Sequence, residues 1–103
     1  MSTTAETGRA GERAAAEYLR RAGYEICALN WRSGRYELDI VARKAGIVHF
    51  VEVKTRSNTD MGLPREYVTP AKQRRLKKTA LYYLCEKQLD CPARFDVAEV
   101  LSL

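Results

Sequence analysis

The sequence predicts an α/β domain with the element order α-β-β-β-α-β, a mixed sheet flanked by helices. Three observations lead there. Segments 8–22 and 70–87 repeat apolar residues at helical spacing; three strand-like runs separated by short Gly-containing turns lie between them; and a further strand-like run follows Pro92. A length of 103 residues suits one domain with one core. The first seven residues read as a flexible lead.

In the first helix, Ala15, Leu19 and Ala22 share a face and Gly23 supplies the stop. Residues 24–32 form a strand leading through a Ser33-Gly34 turn into 37–43, and Lys44-Ala45-Gly46 turns the chain into 47–55. Residues 56–68, with Ser, Asn, Asp, Gly and Pro, read as a surface loop. Thr69-Pro70 is an N-cap followed by proline at the first helical position. The second helix then runs to about Lys87 with Leu76, Ala80, Tyr83 and Leu84 on one stripe, and the last strand covers 94–101.

A chain that is 46% hydrophobic and 30% charged belongs with ordinary globular proteins rather than disordered ones. Its apolar runs are too short to span a bilayer, and its N-terminus lacks the basic and apolar regions of a secretory leader. Three cysteines, Cys27, Cys85 and Cys91, make neither a disulfide framework nor a metal-binding spacing, which points to a reducing cytoplasm. Cys27 and Cys85 are expected to be small buried hydrophobes. The net charge of +5 arises in segment 72–78, where five basic residues and no acid leave 13 basic against 13 acidic elsewhere. A basic element on a neutral body suits a polyanion, although a solvated helix face explains the charge alone equally well.

The informative residues are polar ones in apolar positions. Glu12 shares its helix side with Ala15, Ala16 and Leu19, where a carboxylate is costly to bury unless paired or bound to a cation. The plain alternative is that it favours the positive end of the helix dipole. Strand 37–43 alternates Glu37, Asp39 and Val41 against Leu38, Ile40 and Ala42. Strand 47–55 is apolar on both faces, as a covered central strand should be, yet one face runs Val48, Phe50, Glu52, Lys54. An acid and a base therefore emerge about 7 Å apart at the end of a buried strand. Gln73 interrupts the apolar stripe of the second helix, where it either caps or orients water or phosphate. His49 shares a face with Ile47 and Val51 and reads as a satisfied sheet histidine. Trp31 and the Tyr82-Tyr83 pair can stack on bases, but core or dimer packing explains them better.

One reaction accounts for the set together. A hard cation such as Mg²⁺ or Mn²⁺ takes one or two carboxylates plus other oxygens. Asp39 and Glu52 supply the carboxylates, the backbone carbonyl of Val53 a further oxygen, and Glu12 an auxiliary ligand. Such an ion polarises a phosphodiester, while Lys54 positions water or stabilises developing charge. Hydrolysis of a phosphodiester is the expected chemistry.

The pattern Glu12 … Asp39 … Glu52-Val53-Lys54 resembles the PD-(D/E)xK nuclease signature. More closely, Gly8-x-x-Gly11-Glu12, Asn30-Trp31-Arg32, Glu37-Leu38-Asp39, Phe50-Val51-Glu52-Val53-Lys54-Thr55-Arg56, Lys72-Gln73-Arg74-Arg75-Leu76 and Arg94-Phe95-Asp96-Val97 resemble the bacterial YraN family, itself similar to archaeal Holliday junction resolvases. The resemblance implies a restriction-endonuclease-like fold and a Mg²⁺-dependent endonuclease acting on DNA. It also implies Asp39 and Glu52 as metal ligands, Lys54 as catalytic lysine, and Glu12 and Gln73 as auxiliary site residues. Arg56, Lys72, Arg74, Arg75 and Lys78 are the expected contacts to nucleic acid.

The family usually has Gly where this chain has Tyr36, so a bulky residue is expected to alter the hairpin or partly obstruct the site. Members also usually continue past the position of Leu103, which leaves open what covers the sheet edge. The rival expectation is a non-catalytic nucleic-acid-binding module on the same fold. RNA remains an alternative substrate, and the sequence is compatible with a monomer or a homodimer.

Overall fold

The computed structural model describes residues 4–57 and 69–102, with side chains at 8–55 and 69–101. Helix α1 spans Thr4–Arg21, strands β1, β2 and β3 span Glu25–Ser33, Tyr36–Lys44 and Ile47–Ser57, helix α2 spans Pro70–Glu86, and β4 spans Ala93–Ser102. The order matches the expected α-β-β-β-α-β core. Helix α1 begins four residues before Gly8, because Thr4-Ala5-Glu6-Thr7 contains no breaker and Glu6 suits a first turn. Residues 58–68 of the expected loop lie outside the described residues.

The sheet runs β1-β2-β3-β4. The first three strands are antiparallel neighbours, and β4 joins β3 in parallel from Val48↔Ala93 to Ser57↔Ser102. A parallel neighbour needs a crossover, and α2 provides it. On one face Ala15 and Ala16 of α1 pack on Ile40, Ala42 and Val51. On the other, Ala80 and Tyr83 of α2 pack on Leu38, Val41, Val48 and Phe50. The central strand is thus covered on both sides, as its apolar composition requires.

Strict alternation fails in β2. Leu38 belongs with the α2 face and Ile40 with the α1 face, so two residues that should share a face do not. The break lies at Asp39, where β2 parts from β3 while its ladder with β1 continues to Tyr36.

Helix α1 ends in a Schellman turn. The Tyr24 N–H donates to Leu19 O and the Gly23 N–H to Arg20 O, with Gly23 at φ 92°. Lys44 Nζ donates to Ala22 O at 2.6 Å, a cation on the negative end of the helix. At the other end, Gly11 sets how closely α1 approaches β3, because a Cβ there would overlap the Thr55 hydroxyl. Gly11→Ala should gain about 1 kcal/mol of helix propensity and lose about 1–3 kcal/mol to overpacking. Net destabilisation in urea titrations is expected, and the penalty should vanish in a Thr55→Ala background.

Two expectations about cysteine are corrected. Cys27 and Cys85 are exposed rather than buried. Cys27 lies on the edge strand β1 where the register shifts between Ile26 and Ala28, and Cys85 points outward from the last turn of α2. Tyr83 is the buried member of the tyrosine pair, with Trp31 and Phe50 edge-on to it at 5.2 and 5.8 Å between centroids. His49 is buried and satisfied, its Nδ1 2.8 Å from Asp96 Oδ2 and its ring edge-on to Tyr24. No helix of the described residues is long and apolar enough to cross a membrane.

Candidate active site

The site forms where β2 and β3 part. Their ladder runs from Lys44↔Ile47 to Ile40↔Val51, and the next opposed positions are Asp39 and Glu52. Instead of pairing there, Asp39 Oδ2 accepts the Val53 N–H at 2.8 Å. A side chain has replaced a backbone acceptor, which satisfies β3 and fixes the carboxylate. Beyond this point β3 stays in register with β4, Glu52 beside Val97 and Lys54 beside Glu99. Glu52 is therefore held on a strand that does not fray.

A cleft of about 330 Å³ opens at this fork, with Glu37, Asp39, Glu52, Gln73, Leu76 and Lys77 among its lining residues. Gln73 is exposed at the lip, one turn before Leu76. Glu12 reaches the same electrostatic neighbourhood from α1. Burial pushes its carboxyl above the ordinary carboxylate range, Asn30 opposes this through a hydrogen bond, and Asp39 and Glu37 push it further up. Burial likewise raises Asp39; the Val53 N–H and Lys72 oppose, while Glu52 and Glu37 add to the rise.

Two oxygens decide what the site can hold. Glu12 Oε2 and Glu52 Oε2 are buried with no hydrogen-bond partner. An orphaned buried carboxylate oxygen is costly, and a cation is one partner, beside water or a proton, that relieves it. Among the described residues no three His, Cys, Asp or Glu side chains make a ready cage. Mg²⁺ does not need one, since it binds through one or two carboxylates and otherwise through water and phosphate. The carboxylates at the fork fit that requirement. Val53 stands where the sequence places it, with its N–H taken by Asp39.

The raised carboxyls have a measurable consequence. Between its ordinary and folded-state values each group is more protonated folded than unfolded, so its contribution to stability is present in acid and lost as pH rises through the folded-state value. Asp39→Asn should flatten that fall, as read from urea midpoints at several pH values without divalent cations. Equal slopes for both proteins would contradict the assigned burial.

The remaining expected residues divide. Lys54 follows Glu52 on the α2 side of β3 but does not line the cleft. Lys72, expected on the nucleic-acid face, is turned inward, its Nζ 2.8 Å from Glu52 Oε1. Arg74, Arg75 and Lys78 are exposed on α2, and the Arg56 side chain lies outside the described residues. Tyr36 is not in the cleft lining; it stacks on Tyr82 at 5.0 Å and 25° between planes, so it leaves the site unobstructed. Asn30 was missed as a partner of Glu12. Its signal was an asparagine inside a strand, a poor strand former that tolerates the left-handed φ of 51° found there.

The model of the uncharacterised protein family UPF0102 matches residues 11–100. The chain belongs to this family. A UPF0102 protein of Bacteroides fragilis is 52% identical over 95 residues, 92% of this chain and 78% of that one. A relative in Symbiobacterium thermophilum is 50% identical over 94 residues, 90% and 80% of the two chains. Another in Syntrophus aciditrophicus is 46% identical over 101 residues, 97% and 80% of the two. The matched span contains Glu12, Asp39, Glu52, Lys54 and Gln73, so the whole candidate site lies within the UPF0102 domain.

Proposed function

We propose that this UPF0102 chain is a PD-(D/E)xK-type, Mg²⁺- or Mn²⁺-dependent endonuclease that hydrolyses DNA phosphodiester bonds in the cytoplasm. The observation that carries the reading is the pair of buried, unpartnered carboxylate oxygens on Glu12 and Glu52, with Asp39 between them in the charge network. A bound divalent cation supplies Lewis-acid stabilisation of phosphate charge. Asp39 and Glu52 would hold that cation, with the Val53 carbonyl as a further oxygen. Glu12 orients water from the α1 side, and Gln73 at the cleft lip positions water or a phosphate oxygen. Lys54, one strand repeat beyond Glu52, orients the attacking water and stabilises charge on the scissile phosphate. Arg74, Arg75 and Lys78 on α2 offer a basic face to the DNA backbone.

The test is a panel of flap, junction, single-stranded and double-stranded DNA, with matched RNA, incubated with Mg²⁺ or Mn²⁺. Cation-dependent cleavage of at least one DNA is expected. Salt-sensitive binding without cleavage of any substrate would establish the non-catalytic binding module instead. Replacing Arg74, Arg75 and Lys78 together by glutamine should weaken binding regardless of sequence. It should also flatten the dependence of log K on log salt by up to about 3. Unchanged affinity would reduce the basic face to a solvated surface.

A further inference from the structure

Lys72 sits where local preference would not put it. With Thr69 as N-cap, it occupies the third position of α2, and the Thr69 hydroxyl oxygen accepts its backbone N–H at 3.3 Å. That position favours Glu or Gln, and the positive end of a helix disfavours a cation. The first turn of α2 contains no acid. A residue that opposes its local rule needs a compensating contact elsewhere, and here the contact is Glu52 Oε1 at 2.8 Å.

The compensation is incomplete. Lys72 meets one oxygen of Glu52 and leaves Oε2 buried without a partner. Its field also reaches Asp39. The ammonium thus lies against the carboxylates that would hold a divalent cation, and two cations cannot share them without repulsion. The side chains are 23% and 21% exposed, so the pair is open to solvent on one side and a flexible lysine stem has room to swing out.

We propose that Lys72 is the built-in counter-ion of Glu52 in the cation-free protein, and that a divalent cation binds by displacing its ammonium. The inference rests on the metal-dependent reading of the site. Entry of the cation then moves a positive charge from Glu52 towards the mouth of the cleft, beside the basic residues of α2, where a phosphate oxygen can receive it. Loading the site and gripping the nucleic acid become one exchange. Lys72 is accordingly a positioning residue, with no part in the bond-breaking step.

Two measurements without nucleic acid test this. Calorimetric titration of Mn²⁺ into the wild type and into Lys72→Met should show affinity roughly tenfold or more tighter in the variant, because the competing charge is gone. Lys72→Arg should not tighten binding. Nitrogen NMR of the wild-type lysine ammonium groups should show a Lys72 signal, assigned by its loss in Lys72→Arg, that is protected from exchange without cation and loses protection as Mg²⁺ is added. Mn²⁺ binding with equal affinity in wild type and Lys72→Met overturns the exchange. So does a Lys72 signal unmoved by Mg²⁺ at saturation, which needs no variant beyond the assignment. Mn²⁺ binding to neither wild type nor Lys72→Met overturns the metal reading itself, and the exchange with it.

Discussion

Glu52→Ala and Lys54→Ala proteins are expected to lose DNA cleavage by about 10³-fold or more while retaining DNA affinity. The two losses have different causes. In the proposed mechanism Glu52 is a ligand of the cation, so its removal should also abolish calorimetric Mn²⁺ binding. Lys54 acts there on water and phosphate rather than on the cation, so its removal should leave Mn²⁺ binding near wild type and lower the turnover rate. Affinity for DNA should persist in both, because Arg74, Arg75 and Lys78 are untouched by either substitution. A Lys54→Ala protein that cleaves normally would remove lysine from the mechanism. The carboxylate site would then act through its cation alone.

Phe50→Ala should have the largest effect on stability. Phe50 is 2% exposed on the central strand, edge-on to Tyr83 of α2 and 5.7 Å from the Phe95 ring of β4. Truncating a buried phenylalanine costs about 3–5 kcal/mol, against a total of about 5–15 kcal/mol for a native domain. For a chain of this size each kcal/mol shifts Tm by about 4–8 °C. The urea midpoint should fall steeply with an unchanged slope. A loss below 1 kcal/mol would mean that α2 contributes little to the fold. Glu52 lies two residues further along the same face, so partial unfolding there should also loosen the site.

Much of the fold was legible because its signals are local. Thr69-Pro70 caps α2 as read, Gly23 ends α1, and the two turn sequences produce the two hairpins. The apolar run of β3 announced a covered central strand, and Val48, Phe50 and Val51 are buried accordingly. Cysteine burial failed because periodicity does not distinguish the centre of a sheet from its edge. Cys27 alternates like a core residue, but β1 is an outer strand with a register shift at that point.

At the candidate site the division is similar. Glu52 stood out from residues and spacing as an acid at the end of a covered strand. Glu12, Asp39 and Gln73 also had plain readings and leaned on the family resemblance, and Gln73 is in fact exposed. Lys72 did not stand out. In sequence it is one of five bases in a short run; its place in the first turn after the Thr69 cap sets it apart from Lys78, but nothing there points to Glu52 as its partner.

The sequence by itself therefore determined the element order, the covered central strand and the place of Glu52 at its end, because helix, strand and turn preferences act over a few neighbours. The tertiary structure alone decided where β2 breaks from β3, that Asp39 takes the Val53 N–H, and that Lys72 closes on Glu52. Those contacts join residues 14 and 20 positions apart. No local preference specifies them; they follow only when two helices packed on opposite faces bring α2 and the end of β2 to the same point on the central strand.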